Sequence, residues 1–231
     1  MIKKYPTAVF SAVVDGIKLS RRCLGVAMVC LVILAGCSRS VTVTGTVPTP
    51  LVTELPIVVG VLVSEDFKSY VHAEKLPRGG GQWQIEVGTL QTRFFDALLN
   101  ELFVDARWVN EMNCDPAGQR LVSAVEGCPQ GYVQLELKEY AFLMPELSGL
   151  NFVSTSIKYQ LTLFSDAGDV LDSWTFVGYG KSDIGAFQAV EALNNASVEA
   201  SRDAGARIAL EWPKLPGVAA WLQSHRGTMD G

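Results

Sequence analysis

The sequence predicts a single α+β (α/β) domain: a mixed sheet with an antiparallel hairpin and two main helices packed on one face. Three observations predict it: a continuous β-branched run at Ile57–Val63, alternating segments at Val133–Leu137 and Ile157–Leu163, and two long helical patterns. The chain has 231 residues, of which 48% are hydrophobic and 19% are charged. This size and composition are typical of one globular domain preceded by a targeting segment.

The first half of the domain follows a strand-to-helix pattern. Ile57–Val63 has no polar alternation, which is typical of a strand buried on both faces. A glycine-rich loop at Arg78–Gly81 precedes a helix predicted from about Glu86 to Phe103, and Asp105–Val109 follows as a short strand. The apolar residues of this helix recur at spacings of three and four, which places them on one face: Val87, Leu90, Phe94, Leu98 and Leu102.

The second half is antiparallel and ends in helices. Because the two alternating segments have period two, each is a strand with one face on the core and one face in water. Ser165–Asp169 consists of turn formers and Val170–Val177 returns as a partner strand. Ala186–Glu211 is an alanine-rich helix that ends before Pro213, and Val218–Leu222 marks a short terminal helix. We expect the alanine-rich helix to cover the hairpin closely.

The first 36 residues have the pattern of a signal peptide. Cys23–Leu34 is a run of twelve residues without a charge, flanked by Arg21 and Arg22. A helix of this length spans roughly 18 Å, whereas the hydrocarbon layer of a bilayer is roughly 30 Å thick. The run is therefore the apolar centre of an export signal and not a membrane span.

The residues Leu34-Ala35-Gly36-Cys37 follow this apolar run directly. They are similar to the lipobox of bacterial lipoproteins, in which the cysteine thiol receives the lipid. The resemblance implies a palmitate-bearing Cys37 as the mature N-terminus, anchored to the periplasmic face of the outer membrane because Ser38 and not aspartate follows it. The outer leaflet of the inner membrane is the alternative.

The segment after the anchor differs in composition from the domain. Residues 37–56 are rich in Thr, Val and Pro, which predicts a lipidated N-terminus with a flexible tether, followed by one periplasmic domain over residues 57–231. After removal of the leader, 14 basic and 23 acidic residues remain, a net charge of −9. Without clustered lysine and arginine the domain is not expected to bind nucleic acid.

Cys114 and Cys128 are the only cysteines after Cys37. In an oxidising periplasm they are predicted to form a disulfide that closes a loop of about 15 residues, worth roughly 3 kcal/mol. The alternative is two separately buried thiols.

No motif in the sequence indicates catalysis. Gly178–Ser182 resembles the end of a phosphate-binding loop, but Thr175 stands where that motif needs glycine. His72 and His225 are the only histidines, and neither has metal-ligand spacing to the cysteines. Paired carboxylates such as Glu65-Asp66 and Glu136 with Glu139 would suit glycan chemistry, but Glu136 falls on the wet face of a predicted strand, where a solvated role is expected. We therefore predict no enzymatic activity, no catalytic residues, no cofactor and no metal.

An apolar segment between two predicted strands is the candidate interaction surface. Its sequence, AFLMPELSGLNF, is too apolar for a solvated loop. It either packs over the core or forms a surface for a partner or ligand. The residues in question are Phe142, Leu143, Met144, Leu147, Leu150 and Phe152.

The order of elements resembles, over most of Ile57–Glu211, small α/β accessory lipoproteins of envelope machines. These include curli-secretion lipoproteins, exopolysaccharide-export lipoproteins and auxiliary lipoproteins of lipid-transporting ABC systems. The resemblance implies a non-enzymatic accessory or assembly component with envelope protein partners. A lipid or small-molecule binding lipoprotein is the second hypothesis, and a cell-wall or glycan hydrolase is the third. The sequence leaves the oligomeric state open.

Overall fold

A computed structural model describes residues 38–46, 52–77, 80–113, 127–185 and 189–226. The predicted signal peptide and Cys37 lie outside these ranges. The chain divides into two compact units. Of the described residues, the smaller unit contains Ser38, Arg39, Lys75–Pro77 and Gly80–Gln82, and the larger unit contains the rest.

The described residues form strands and helices that alternate along the chain. The strands are β1 (Ser38–Thr42), β2 (Leu55–Leu62), β3 (Val71–Lys75), β4 (Gln82–Glu86), β5 (Phe103–Trp108), β6 (Gly131–Leu143), β7 (Phe152–Ser165) and β8 (Val170–Asp183). The helices are α1 (Glu65–Lys68), α2 (Gly88–Leu102), α3 (Pro145–Ser148), α4 (Ala189–Glu211) and α5 (Pro216–Arg226), with a 3-10 turn at Trp212–Lys214.

The main sheet has five strands in the order β5-β2-β6-β7-β8. The β-branched strand β2 lies between β5 and β6 and is parallel to both. The long strands β6, β7 and β8 pair antiparallel, and β7 and β8 form a hairpin. The predicted mixed sheet with an antiparallel hairpin is confirmed.

A β-bulge in β6 changes the phase of its apolar residues. The pairing with β7 shifts between Leu137 and Glu139, so Leu137 pairs with Tyr159 and Tyr140 pairs with Ile157. The extra residue keeps Leu135, Tyr140 and the residues after it on the same face. For this reason the alternation visible at Val133–Leu137 resumes one residue late in the sequence.

Both main helices pack on one face of this sheet, as predicted. Phe95 of α2 packs edge-on against Tyr159, with ring centroids 5.1 Å apart. On β8, Gly178 and Gly180 face α4, and a Cβ at Gly180 would overlap the carbonyl oxygen of Ala196. Because only glycine and alanine allow this approach, the alanine-rich helix is matched to the hairpin strand. Val190, near the start of α4, is 45% exposed.

A second sheet of three strands, in the order β1-β4-β3, was not predicted. Its strands have only five residues each. Strands this short give few repeats of an alternating pattern, so their periodicity is hard to separate from that of a loop. Within the smaller unit, the turn between β3 and β4 is closed by the amide of Leu76, which donates to the carbonyl of Gly81 at 2.9 Å.

Candidate functional site

The described chain directly after Cys37 is folded and is not a flexible tether. Strand β1 begins at Ser38, one residue after Cys37. Val41 and Val43 are buried, with 3% and 1% of their surfaces exposed. The prediction of a tether over residues 37–56 is therefore wrong for these described residues, since paired backbone and buried valines hold them. Residues 47–51 lie outside the described ranges.

Helix α4 holds the segment that follows β1. The side chain of Asn194 accepts a hydrogen bond from the amide of Thr44 at 2.7 Å and donates one to its carbonyl oxygen at 2.9 Å. Arg202 donates to the carbonyl and hydroxyl oxygens of Thr46 at 3.2 Å and 3.3 Å. Between these contacts, a Cβ at Gly45 would lie 2.7 Å from Val198. We call Asn194, Val198 and Arg202 the α4 clamp.

The clamp fixes the segment that follows β1, so little free chain separates the predicted anchor from the first strand. One residue spans at most about 3.6 Å, so a lipid on Cys37 would lie within a few ångströms of the first residue of β1. Sequence reasoning missed the clamp because Asn194 is about 150 residues from Thr44, and nothing in either local sequence marks the pair.

The predicted partner surface divides into a buried part and an exposed part. Phe142 and Met144 are 8% and 1% exposed, and Phe142 packs on His72 and Trp83. Leu143 and Leu150 are 40% and 48% exposed. Leu147 and Phe152 are half-buried.

The segment is not one loop. Phe142 and Leu143 belong to β6 and Phe152 to β7, with α3 and a left-handed Gly149 at φ 70° between them. Alternate residues of a strand point to opposite faces, so some residues of the segment pack in the core and others are exposed. Its role as a partner surface stays a prediction.

The exposed residues continue onto the outer face of the hairpin. Val177 and Tyr179 of β8 are 39% and 51% exposed and point away from α4. The ammonium of Lys181 lies 5.5 Å from the ring centre of Phe152. We call Leu143, Phe152, Val177, Tyr179 and Lys181 the open sheet face. Among the described residues, α2 and α4 cover the opposite face of the sheet.

The carboxylates considered for glycan chemistry are paired with lysines. Glu136 lies 3.1 Å from the ammonium of Lys138. Glu139 accepts a hydrogen bond from Lys158 at 2.7 Å, and this bond lowers the pKa of the carboxyl. An acid that is to protonate a leaving group needs a raised pKa, so Glu139 has the wrong electrostatic environment for that role.

His72 is half-buried, and its imidazole forms both a polar and an aromatic contact. Its Nε2 lies 3.1 Å from a carboxylate oxygen of Glu74, and its ring centre lies 5.0 Å from that of Tyr140. These contacts fix the ring against the core. Within the described ranges, no group of three or more His, Cys, Asp or Glu side chains is placed to hold a metal ion.

A set of buried polar side chains fixes the helices on the sheet. Tyr140 donates to the hydroxyl of Ser197 on α4 at 2.7 Å, and that hydroxyl donates to the carbonyl oxygen of Leu193 at 2.8 Å. Tyr159 donates to Gln91 on α2 at 3.3 Å. Burial raises the pKa of Tyr140 to about 12 and also raises the pKa of Tyr159. Both tyrosines therefore stay neutral and act as packed hydrogen-bond donors.

A groove open to solvent lies at the other end of the hairpin, beside α5. Its volume is about 500 Å³. On one wall, the indole of Trp221 donates to the carbonyl oxygen of Gln130 at 3.3 Å. The groove is lined mainly by apolar surface from Leu171, Gly217, Ala220 and Trp221, with polar groups from Gln130, Ser165, Asp166, Ser224 and His225.

The predicted disulfide falls partly outside the described residues. Cys128 precedes β6 and is not a free thiol. Cys114 lies outside the described residues, so its pairing with Cys128 stays a prediction. No helix in the described ranges combines the length and apolar composition needed to cross a bilayer.

Comparisons with known proteins give no family. No family model matches the chain, and no curated protein matches it. A crystal structure of a DUF330-family protein from Xanthomonas campestris is similar, with a TM-score of 0.45 at 12% identity, covering 77% of this chain and 98% of that one. A neuraminyllactose-binding hemagglutinin homolog from Helicobacter pylori has a TM-score of 0.45 at 10% identity, covering 80% and 98%. The solution structure of a lipoprotein B from Nitrosomonas europaea has a TM-score of 0.39 at 14% identity, covering 79% and 97%.

Proposed function

We propose that this chain is a lipid-anchored, non-enzymatic accessory protein of the bacterial envelope that holds a partner protein at the membrane. The observation that carries the proposal is the folded strand β1, which begins one residue after the lipobox cysteine and continues into the α4 clamp. A protein that only needed to be retained at a membrane could keep a long tether. A short, clamped connection instead fixes the height of the domain above the lipid.

The open sheet face supports partner binding. It presents an aromatic, an aliphatic and a basic side chain together in Tyr179, Val177 and Lys181. Aromatic residues are enriched at protein interfaces, because a large rigid side chain gives much contact area at low entropic cost. We propose that an envelope protein contacts this face, with the outer membrane as the site of anchoring.

Metabolic labelling tests the anchor. We expect the wild-type chain to incorporate radiolabelled palmitate and Cys37→Ser to incorporate none, with Ser38→Ala as the matched control that keeps the lipobox. Because Ser38 implies sorting to the outer membrane, Ser38→Asp should move the labelled protein to the inner membrane in a diderm host. Palmitate on the Cys37→Ser chain would refute the anchor.

Site-specific crosslinking tests the partner. A photo-reactive amino acid at Tyr179 should crosslink to an envelope protein that the same probe at Val190 does not reach. Val190 is a suitable control because it is similarly exposed but lies on α4, on the opposite side of the sheet. Identical crosslinked species at both positions, or none at Tyr179, would count against the open sheet face.

A ligand-binding role is the second candidate, and the groove beside α5 favours it. Its apolar lining with a few polar groups is typical of small-molecule sites. Native mass spectrometry of the Cys37→Ser chain should then show a retained ligand that Ala220→Trp displaces by filling the groove. Ala167→Trp, in the exposed β7–β8 turn, is the control. If neither the Cys37→Ser chain nor the same chain with the control Ala167→Trp shows added mass, the ligand-binding role is refuted.

A further inference from the structure

Strands β1 and β4 are neighbours in the three-stranded sheet, and two hydrogen bonds join their C-terminal ends. The amide of Val43, just past the end of β1, donates to the carbonyl of Glu86 at 3.0 Å, and the hydroxyl of Thr42 donates to the Glu86 carboxylate at 2.8 Å. The C-terminal ends of the two neighbouring strands therefore coincide. Their first residues, Ser38 and Gln82, consequently lie together at the opposite end of the small sheet.

The turn between β3 and β4 lies at this same end. Lys75 ends β3 and Gln82 begins β4. Ser38 and Arg39 belong to the same compact unit as this turn. The turn is tightened by a hydrogen bond from the amide of Gly80 to the carbonyl of Pro77 at 3.1 Å. We call the residues Lys75–Pro77 and Gly80–Gln82 the hairpin tip.

We propose that the hairpin tip contacts the phospholipid surface beside Cys37. This inference rests on the proposed lipid anchor. We infer a lipid surface from the length of chain between Cys37 and β1. One residue spans at most about 3.6 Å, so the neighbouring strand end must lie close to the lipid headgroups. Pro77 at the end of the turn is exposed and is the residue we place deepest.

Charge supports the same orientation. The chain after the leader carries −9, so anionic phospholipid repels most of its surface. The stretch Lys75–Gln82 contains no acidic residue, and Lys75 and Arg39 are both exposed. The hairpin tip and Arg39 are thus basic, whereas the chain after the leader as a whole is acidic. Each basic residue near an anionic bilayer raises the population of the membrane-contacting state about fivefold.

Spin-label accessibility tests the contact. The lipidated chain carrying Pro77→Cys or, as the control, Ala167→Cys would be labelled and reconstituted in phosphatidylcholine vesicles containing phosphatidylglycerol. We expect the label at position 77 to collide with a water-soluble nickel chelate about fivefold less often than the label at 167, as expected for one basic charge held at the surface. In phosphatidylcholine alone this difference should shrink.

A charge reversal separates electrostatic contact from simple proximity. Lys75→Glu changes the local charge by two and should shift the contact population about 30-fold in the anionic vesicles but not in the neutral ones. Lys75→Arg should behave as wild type. Equal nickel accessibility at 77 and 167 on a chain that carries palmitate would overturn this inference alone. A chain without palmitate on Cys37 would overturn the proposed function and the inference with it.

Discussion

Removing one residue of the α4 clamp is predicted to destabilise the segment that the clamp holds and to stabilise helix α4 itself. Asn194→Ala removes the two hydrogen bonds, of 2.7 Å and 2.9 Å, that join the helix to the backbone of Thr44. Both bonds are exposed to solvent, so we expect a loss of about 1–2 kcal/mol in total. Alanine is also the better helix former, by up to about 0.7 kcal/mol, so α4 itself should gain stability.

Native-state hydrogen exchange measures both effects at once. The amide of Val43, which donates to Glu86, should exchange about 5–30-fold faster in the variant because the segment opens more often. Amides inside α4 should exchange at the same rate or more slowly. This contrast distinguishes release of the segment from global destabilisation.

Asn100→Ala is the matched control for Asn194→Ala. Within the part of the chain that the structure describes, the side chain of Asn100 bonds to Asp96 of its own helix α2, so the same gain in helix propensity comes without loss of the clamp. In the Asn100→Ala variant, the amide of Val43 should exchange at the wild-type rate. An unchanged Val43 rate in Asn194→Ala would refute the clamp, as would equal acceleration across the whole fold.

Three further predictions test the packing. Gly180→Ala forces a methyl group against the α4 backbone and should cost about 1–3 kcal/mol of unfolding free energy in urea titrations, while Thr175→Ala, on the exposed face of the same strand, should stay within about 0.5 kcal/mol. Phe142→Ala should cost about 3–5 kcal/mol and Leu143→Ala less than about 1 kcal/mol, and equal costs would show that the apolar segment is not divided. Tyr140 has a raised folded-state pKa of about 12, so its contribution is complete below pH 10 and is lost as pH rises towards 12. Tyr140→Phe should therefore lose less stability than wild type between these pH values in thermal melts, and parallel losses would contradict the raised pKa.

Long periodic segments could be predicted from the sequence because their pattern repeats often enough to be recognised. Helix α2 was predicted from about Glu86 to Phe103 and runs from Gly88 to Leu102. Helix α4 was predicted from Ala186 and is described from Ala189 to Glu211. The hairpin of β7 and β8 was also predicted, although both strands extend beyond the predicted segments. Short strands such as β3 and β4 gave no such signal.

The candidate site could be predicted only in part. The lipobox is a local motif, so Cys37 could be identified as the predicted anchor without any structure. The apolar segment at Phe142–Phe152 was recognisable, but its division into core and surface depends on where β6 ends and on the bulge that shifts its register. The glycine-rich loop at Arg78–Gly81 was recognisable, but the clamp and the position of the hairpin tip beside Ser38 could not be found, because both depend on residues far apart in the chain.

The sequence by itself determined the fold class and the strand-to-helix order, since both rest on local chemistry: hydrophobic period and turn formers. The export signal and the lipidation motif are also local patterns and stay predictions. Tertiary structure alone decided that the segment after Cys37 is folded. Thr, Val and Pro in residues 37–56 are compatible with either a free tether or a paired strand, because β-branched residues suit both. Burial of Val41 and Val43 and the hydrogen bonds from Asn194 stabilise the paired state, and these contacts exist only once α4 has packed on the sheet.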